Sequence, residues 1–279
     1  MGIETHYRQG LLDKTFYEKR LAGFTFNLPE NLPEARSLIV VAVGDPQVRF
    51  TCTWNERRIP LIVPPTFLHW READKQVEDT LAEVLSSEGY RVARAALPKK
   101  LLAVHSGLAA YGRNNITYVA GMGSFHRLAA FYSNLSCEQD NWQELRMMER
   151  CQTCFACLRN CPTGAISAER FLLHAERCIT FHNEDPGEVP FPEWLDLSWH
   201  NCLVGCLHCQ RVCPENKDFL TWVEEGAEFS SEETMLLLEG VPLNQLPAAT
   251  VKKLERWDMV DLVDILPRNL RVLFKRMEI

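Results

Sequence analysis

Cys151-Gln-Thr-Cys154-Phe-Ala-Cys157-Leu-Arg-Asn-Cys161-Pro162 decides how the rest of the chain is read. Three cysteines at this close spacing lie on one tight loop and offer three thiolates to the corners of an iron–sulfur cube. The fourth follows three residues later, and the proline after it keeps the chain from coiling back. Its thiolate is therefore directed to a different cluster. That arrangement demands a second run, and Cys206-Leu-His-Cys209-Gln-Arg-Val-Cys213-Pro214 supplies it.

Two interleaved runs, each closed by Cys-Pro, are the pattern of bacterial two-cluster ferredoxins, so two [4Fe–4S] clusters are expected. Paired C-x2-C is also zinc spacing. A four-ligand zinc site, however, gives no reason for a third cysteine two residues on, or for Cys-Pro twice. Spacing assigns Cys151, Cys154, Cys157 and Cys213 to one cluster. The other receives Cys161, Cys206, Cys209 and one more. A plain ferredoxin reading takes Cys202 for it, four residues before Cys206. Cys52 and Cys137 have no partner spacing and read as small buried thiols. His208, between ligands, reads as a surface residue that adjusts a nearby potential at most.

With 279 residues, 46% of them hydrophobic, the chain can bury a proper core and has room for about two domains. The expected class is α+β. Residues 1–145 form an α/β sandwich-like domain for a cofactor or substrate, 146–220 a ferredoxin-like two-cluster domain, and 221–279 a helical tail. A net charge of −7 argues against a surface built for nucleic-acid phosphates. Residues 1–8 carry charges where a signal peptide needs an apolar stretch, and no apolar run approaches the ~18 residues of a membrane span. The expectation is a cytoplasmic protein with reduced thiols and no membrane contact.

Residues 4–21 carry a loose helical stripe. Ser37-Leu-Ile-Val-Val-Ala-Val43 reads as a buried central strand ended by Gly44-Asp45-Pro46. The prolines of Ile59-Pro-Leu-Ile-Val-Pro64-Pro65-Thr-Phe67 predict an ordered loop. Leu68 to Glu88 predicts a helix with Val77, Leu81, Val84 and Leu85 on one face and Gly89 past its end. Residues 90–96 predict a strand, and Pro98 starts a helix through Leu108. Segments 115–119 and 125–132 predict two strands joined by Gly121-Met-Gly123-Ser124. Residues 168–181 look helical, the chain beyond 220 is helical and acidic, and Pro267-Arg268-Asn269-Leu270-Arg271 begins a basic amphipathic helix ending at Ile279.

With these residues set out, the chain resembles the epoxyqueuosine reductase family, cobalamin-dependent iron–sulfur enzymes akin to reductive dehalogenases. Leu32-Pro-Glu-Ala-Arg-Ser-Leu-Ile-Val40 is similar to the family's first strand. Ser106-Gly-Leu-Ala-Ala-Tyr-Gly-Arg-Asn-Asn115 and Gly123-Ser124-Phe125 are similar to its glycine stretches. Arg177-Cys178-Ile179-Thr180-Phe181, Gly205-Cys206 and Cys209-Gln210 are similar to its cysteine segments. The resemblance implies Cys178 as the fourth ligand of the second cluster, leaving Cys202 spare.

It also implies that the clusters pass single electrons to a cobalamin-type cofactor held by the front domain. Gly112, Arg113, Asn114, Asn115, Gly123 and Ser124 would surround the corrin ring, glycines admitting a flat macrocycle. Arg113 would pair with an amide or phosphate of the cofactor. An external low-potential electron donor, and a small-molecule substrate or partner redox protein, are the expected partners. The family places an acidic proton donor some way before the glycine stretch. Here that region holds Ala93 with Arg91 and Arg94 and no acid, so no catalytic residue is assigned; Tyr111 and His105 are the nearest substitutes. Longer members carry a helical-repeat tail that grips tRNA. Because this chain ends soon after Leu266-Pro-Arg-Asn-Leu270 and is acidic, a tRNA substrate is not expected. The rival reading is an electron-transfer protein with no substrate of its own.

Overall fold

The computed structural model describes residues 2–277. Its strands are β1 (Ser37–Gly44), β2 (Gln47–Trp54), β3 (Arg57–Val63), β4 (Val92–Arg94), β5 (Ala110–Tyr111), β6 (Thr117–Tyr118), β7 (His126–Ser133) and β8 (Val223–Phe229). They form small sheets, with short helices before, between and after them, so the class is α+β. The chain divides into two compact units. The first comprises Met1–Asp45, Trp70–Phe155 and Glu169–Leu172; the second comprises Pro46–His69, Ala156–Ala168 and Leu173–Ile279. This division differs from boundaries at 145 and 220, because the β2–β3 hairpin joins the C-terminal part. Among the described residues no helix is long and apolar enough to cross a membrane.

In the first unit β7 is the central strand, antiparallel to β1 on one side and β4 on the other. β1 is thus an edge strand, half-buried throughout, and the expectation of a buried central strand is corrected. One face of β1 meets two clusters in turn: Leu38 and Val40 pack on one with Leu97, Leu102 and Tyr132, and Val40 and Ala42 on another with Val104 and Tyr111. The long helix spans Trp70–Ser86, with Gly89 at φ 80 shortly after it. Val84 is exposed rather than on its packed face. The helix after Pro98 covers Lys99–His105. The predicted hairpin from 115 to 132 does not form. β6 pairs with β5, and β7 is taken by β1 and β4.

The second unit holds the largest departure from the sequence reading. Residues 47–63 form an antiparallel hairpin turned by Asn55 and Glu56, both at positive φ. Pro60 sits within β3, which is allowed because β3 is an edge strand with one side free of ladder bonds. β8, read from its glutamates as helix, instead pairs in parallel with β2. Phe50 on β2 is fully buried, meets the Trp257 ring edge-on at 5.6 Å, and centres a core shared with the helices Ser231–Glu239, Ala248–Arg256 and Leu266–Met277. The last helix matches the basic amphipathic segment expected; residues 278 and 279 of that expectation lie outside the described residues. Between the cysteine runs the regular structure is the 3-10 turns Ala175–Arg177 and Leu197–Trp199 and the short helix Ile179–Asn183, so only the last part of the helical stretch expected over 168–181 forms.

Candidate iron–sulfur site

Cys151 and Cys154 belong to the first unit, and Cys157, Cys161, Cys178, Cys202, Cys206, Cys209 and Cys213 to the second. Among the described residues no disulfide joins any of the eleven cysteines. Cys52 is buried and its thiol is pushed up to about 12 by that burial, as expected for an inert interior thiol. Cys137 is exposed, which corrects its reading as buried.

Within the second unit, five thiols (Cys161, Cys178, Cys202, Cys206 and Cys209) act on one another. Burial, then the neighbouring sulfurs of Cys178, Cys209 and Cys202 in that order, push the Cys206 thiol well above its ordinary range, while the His208 N–H opposes this. Cys178 is raised by burial, opposed by the Thr180 N–H and hydroxyl, with Cys161 adding like charge and the Phe181 N–H also opposing. Sulfurs that resist ionisation together become stable thiolates once cationic iron offsets their charge. Cys178 stands at the N-cap of Ile179–Asn183, beside the first amides of that helix, although its side chain makes no capping hydrogen bond. Cys202 is raised to about 12 by burial, opposed by Arg211 and the Leu207 N–H. Among the described residues no three Cys, His, Asp or Glu side chains close in as they would on a single ion. The mutual action of the thiols is therefore the observation that bears on a larger group.

Asn183, which sequence reasoning missed, joins two of these cysteine segments. Its Nδ2 donates to the Gly205 carbonyl at 2.7 Å and its Oδ1 accepts from the Gly205 N–H at 3.0 Å. The side chain thus completes a backbone-like pair between the helix after Cys178 and the residue before Cys206. A lone asparagine in a short helix gives no sequence signal for that role. His208 is half-buried, its Nε2 at 2.8 Å from the Trp199 carbonyl.

In the first unit, residues 112–116 make a tight turn between β5 and β6, with the Gly112 N–H bonded to the Ile116 carbonyl at 2.7 Å. A Cβ at Gly112 would lie 2.5 Å from both Asn114 Oδ1 and the Tyr118 ring, so its missing side chain makes room for the chain's own residues. Asn114 is buried, its Nδ2 donating to the Tyr118 hydroxyl; Asn115, at φ 56, donates to the Phe171 carbonyl. Gly123 and Ser124 are buried as well. Arg113 is committed elsewhere than expected. Its guanidinium donates to the Cys151 carbonyl at 2.5 Å and the Cys154 carbonyl at 3.4 Å, and lies 4.4 Å over the Phe155 ring. The reading of Arg113 as partner of a cofactor phosphate is corrected: it braces the first cysteine loop. As they stand, these six residues form no open cradle for a macrocycle.

The substitute proton donors are packed. Burial pushes Tyr111 up to about 12, which makes it a poor acid, and His105 stacks on Trp142 at 4.1 Å. Ala93 is buried in β4, while Arg91 pairs with Glu34 and Arg94 with Glu78.

Residues 150–216 match the family described as 4Fe-4S double cluster binding domain. The epoxyqueuosine reductase of Synechocystis sp. is 28% identical over 206 residues, covering 69% of this chain and 67% of that protein. The solved epoxyqueuosine reductase of Streptococcus thermophilus shares the fold with a TM-score of 0.64, at 20% identity, over 98% of this chain and 74% of that one. The chain is related to the epoxyqueuosine reductases. Its aligned part spans from 39% to 67% of the lengths of three such relatives. Another solved epoxyqueuosine reductase holds a tRNA-Tyr epoxyqueuosine-modified stem loop; it aligns with a TM-score of 0.62, at 22% identity, over 97% of this chain and 74% of that one. That finding overturns the expectation that tRNA is excluded. Net charge is a sum over the whole surface, whereas phosphates are met by a local arrangement of cations, so −7 never decided the matter.

Proposed function

We propose that the chain is an iron–sulfur reductase that uses two [4Fe–4S] clusters to reduce an epoxide carried on a tRNA. The single observation that carries this reading is that one compact unit gathers Cys161, Cys178, Cys202, Cys206 and Cys209 closely enough to act on one another; of these, Cys161, Cys178, Cys206 and Cys209 are the set that the resemblance implies. In this reading they hold the second cluster, and Cys151, Cys154, Cys157 and Cys213 hold the first by their spacing. Each cluster, when bound, takes up and releases one electron at a time. The N–H groups of Thr180, Phe181 and His208, aimed at the sulfurs of Cys178 and Cys206, stabilise the added negative charge and so raise the potential of the site. Burial excludes water from the same sulfurs. Reduction of an epoxide consumes two electrons and two protons, which two one-electron stores can supply in succession.

A cobalamin-type cofactor is the acceptor that the resemblance implies. Gly112, Asn114, Gly123 and Ser124 are buried and Arg113 donates to the Cys151 carbonyl, so these residues as they stand do not fit that cofactor. The second reading, an electron carrier with no substrate of its own, is favoured by the absence of an acid around Ala93. The unpaired cysteines suit a reducing compartment such as the cytoplasm.

Protein purified without air should carry about eight irons per chain. Reduced with dithionite and supplied with cobalamin, it should remove one oxygen from an epoxyqueuosine-bearing tRNA stem loop, read by mass spectrometry of the nucleosides. A colourless, zinc-loaded protein would end the iron–sulfur reading. Full iron with the epoxide left intact would leave the electron carrier.

A further inference from the structure

The pentapeptide Leu266-Pro-Arg-Asn-Leu270 opens the last helix, and a helical apolar stripe explains Leu266 and Leu270 but not the pair between them. Arg268 points its guanidinium at a ring of main-chain oxygens. It donates to the carbonyls of His182 at 3.2 Å, Asn183 at 3.1 Å, Asp185 at 2.9 Å, Pro186 at 3.1 Å and Val189 at 2.6 Å. Its other face lies 4.4 Å over the Phe191 ring. Two of these oxygens, those of His182 and Asn183, belong to the last residues of Ile179–Asn183, the helix that begins just after Cys178. A planar guanidinium with its fixed fork of donors can serve such a ring, and an ammonium cannot span it.

Asn269 is 1% exposed, and its Nδ2 donates at 2.9 Å to both the Asn183 and the Leu203 carbonyls. Leu203 lies three residues before Cys206. Asn183 in turn pairs with Gly205, so one buried network joins the tail to the segments that bear Cys178 and Cys206. The turn after the helix is pressed against the tail as well. A Cβ at Gly187 would sit 2.0 Å from the Asp264 carbonyl oxygen, so only glycine fits there.

We propose that Arg268 and Asn269 are positioning residues for the second cluster, clamping the Cys178 helix against the Gly205-Cys206 segment so that both thiolates face one cube. This rests on the two-cluster reading above. The clamp acts on the main chain carrying the ligands, and the tail is thereby part of the cluster site.

The test compares wild type with Arg268→Lys, Asn269→Ser and Lys253→Met, all loaded with iron and sulfide without air. Lys253 belongs to the same unit, where it binds the Glu233 carboxylate and the Glu228 carbonyl, and it contacts neither cysteine segment. Cys206→Ala defines the electron paramagnetic resonance spectrum that lacks the second cluster. Arg268→Lys should shift the potential and broaden the signal of the second cluster and leave the first unchanged. Asn269→Ser should lower iron from about eight toward about four per chain. Lys253→Met should leave both signals in place. If Arg268→Lys does not fold, Asn269→Ser, which keeps the guanidinium, carries the comparison. Unchanged second-cluster signals in variants that merely melt earlier would overturn the clamp, as would an equal change in Lys253→Met. A wild type without two clusters would instead sink the two-cluster reading, and the clamp with it.

Discussion

Two arginines brace the cysteine segments in different ways. Arg113 and Arg268 each stack 4.4 Å over a phenylalanine, and each spends its donors on backbone carbonyls. Arg113 serves two, and both belong to cysteines of one compact run. Arg268 serves five, none on a cysteine, and Asn269 and Asn183 reinforce it. The difference follows from loop closure. Thiols two residues apart are brought together by the chain itself, whereas Cys161, Cys178 and Cys206 are far apart in sequence and must be gathered at the entropic cost of closing long loops. The second set therefore needs a scaffold from outside, and the tail supplies it.

The largest expected effect tests which thiols belong to the braced set. Cys178→Ala should lose one whole cluster, taking iron from about eight to about four per chain, while Cys202→Ala keeps both. The reverse result would make Cys202 the ligand. Next comes the clamp itself. Arg268→Ala strips several carbonyls of their donor and should destabilise the protein by about 3 kcal/mol in denaturant unfolding. Arg113→Ala removes two such bonds and one cation–π contact and should cost about 1–2 kcal/mol. Equal losses from the two substitutions would erase the proposed difference between the braces.

A smaller effect separates the units by pH. Burial, opposed by the Gly123 carbonyl and aided by Lys100, holds His126 below its ordinary 6.5. The unfolded chain then binds the proton first, so stability should fall as the pH drops from about 6.5 toward the folded value and be flat above it. Tm measured against pH should show this slope; His200, held low mainly by burial, adds to it from the second unit, so His126→Gln should reduce the slope and leave the share of His200. The smallest change sets the baseline: Lys75→Ala breaks an exposed pair with Asp79 and should move stability by less than about 0.5 kcal/mol.

Much of the site could be read without coordinates, because ligand spacing is a local property. The cysteine runs, the long helix ending before Gly89 and the amphipathic stripe of the last helix all depend on residues a few positions apart. The errors arose where long-range pairing overrode local preference. Pro60 argues against a strand until its edge position is known, and the glutamates of β8 read as helix until β2 is seen beside them. Gly112 was read as space left for a ligand, yet that space is filled by Asn114 and Tyr118.

The linear chain alone determined that seven thiols stand in two interleaved runs, since covalent spacing limits which atoms one small loop can present. Folding in three dimensions decided why Arg268 and Asn269 stand where they do, against carbonyls of segments far from them in sequence. A guanidinium finds a ring of carbonyls only after the segments that own them have been brought together, and no periodicity in the tail encodes that meeting.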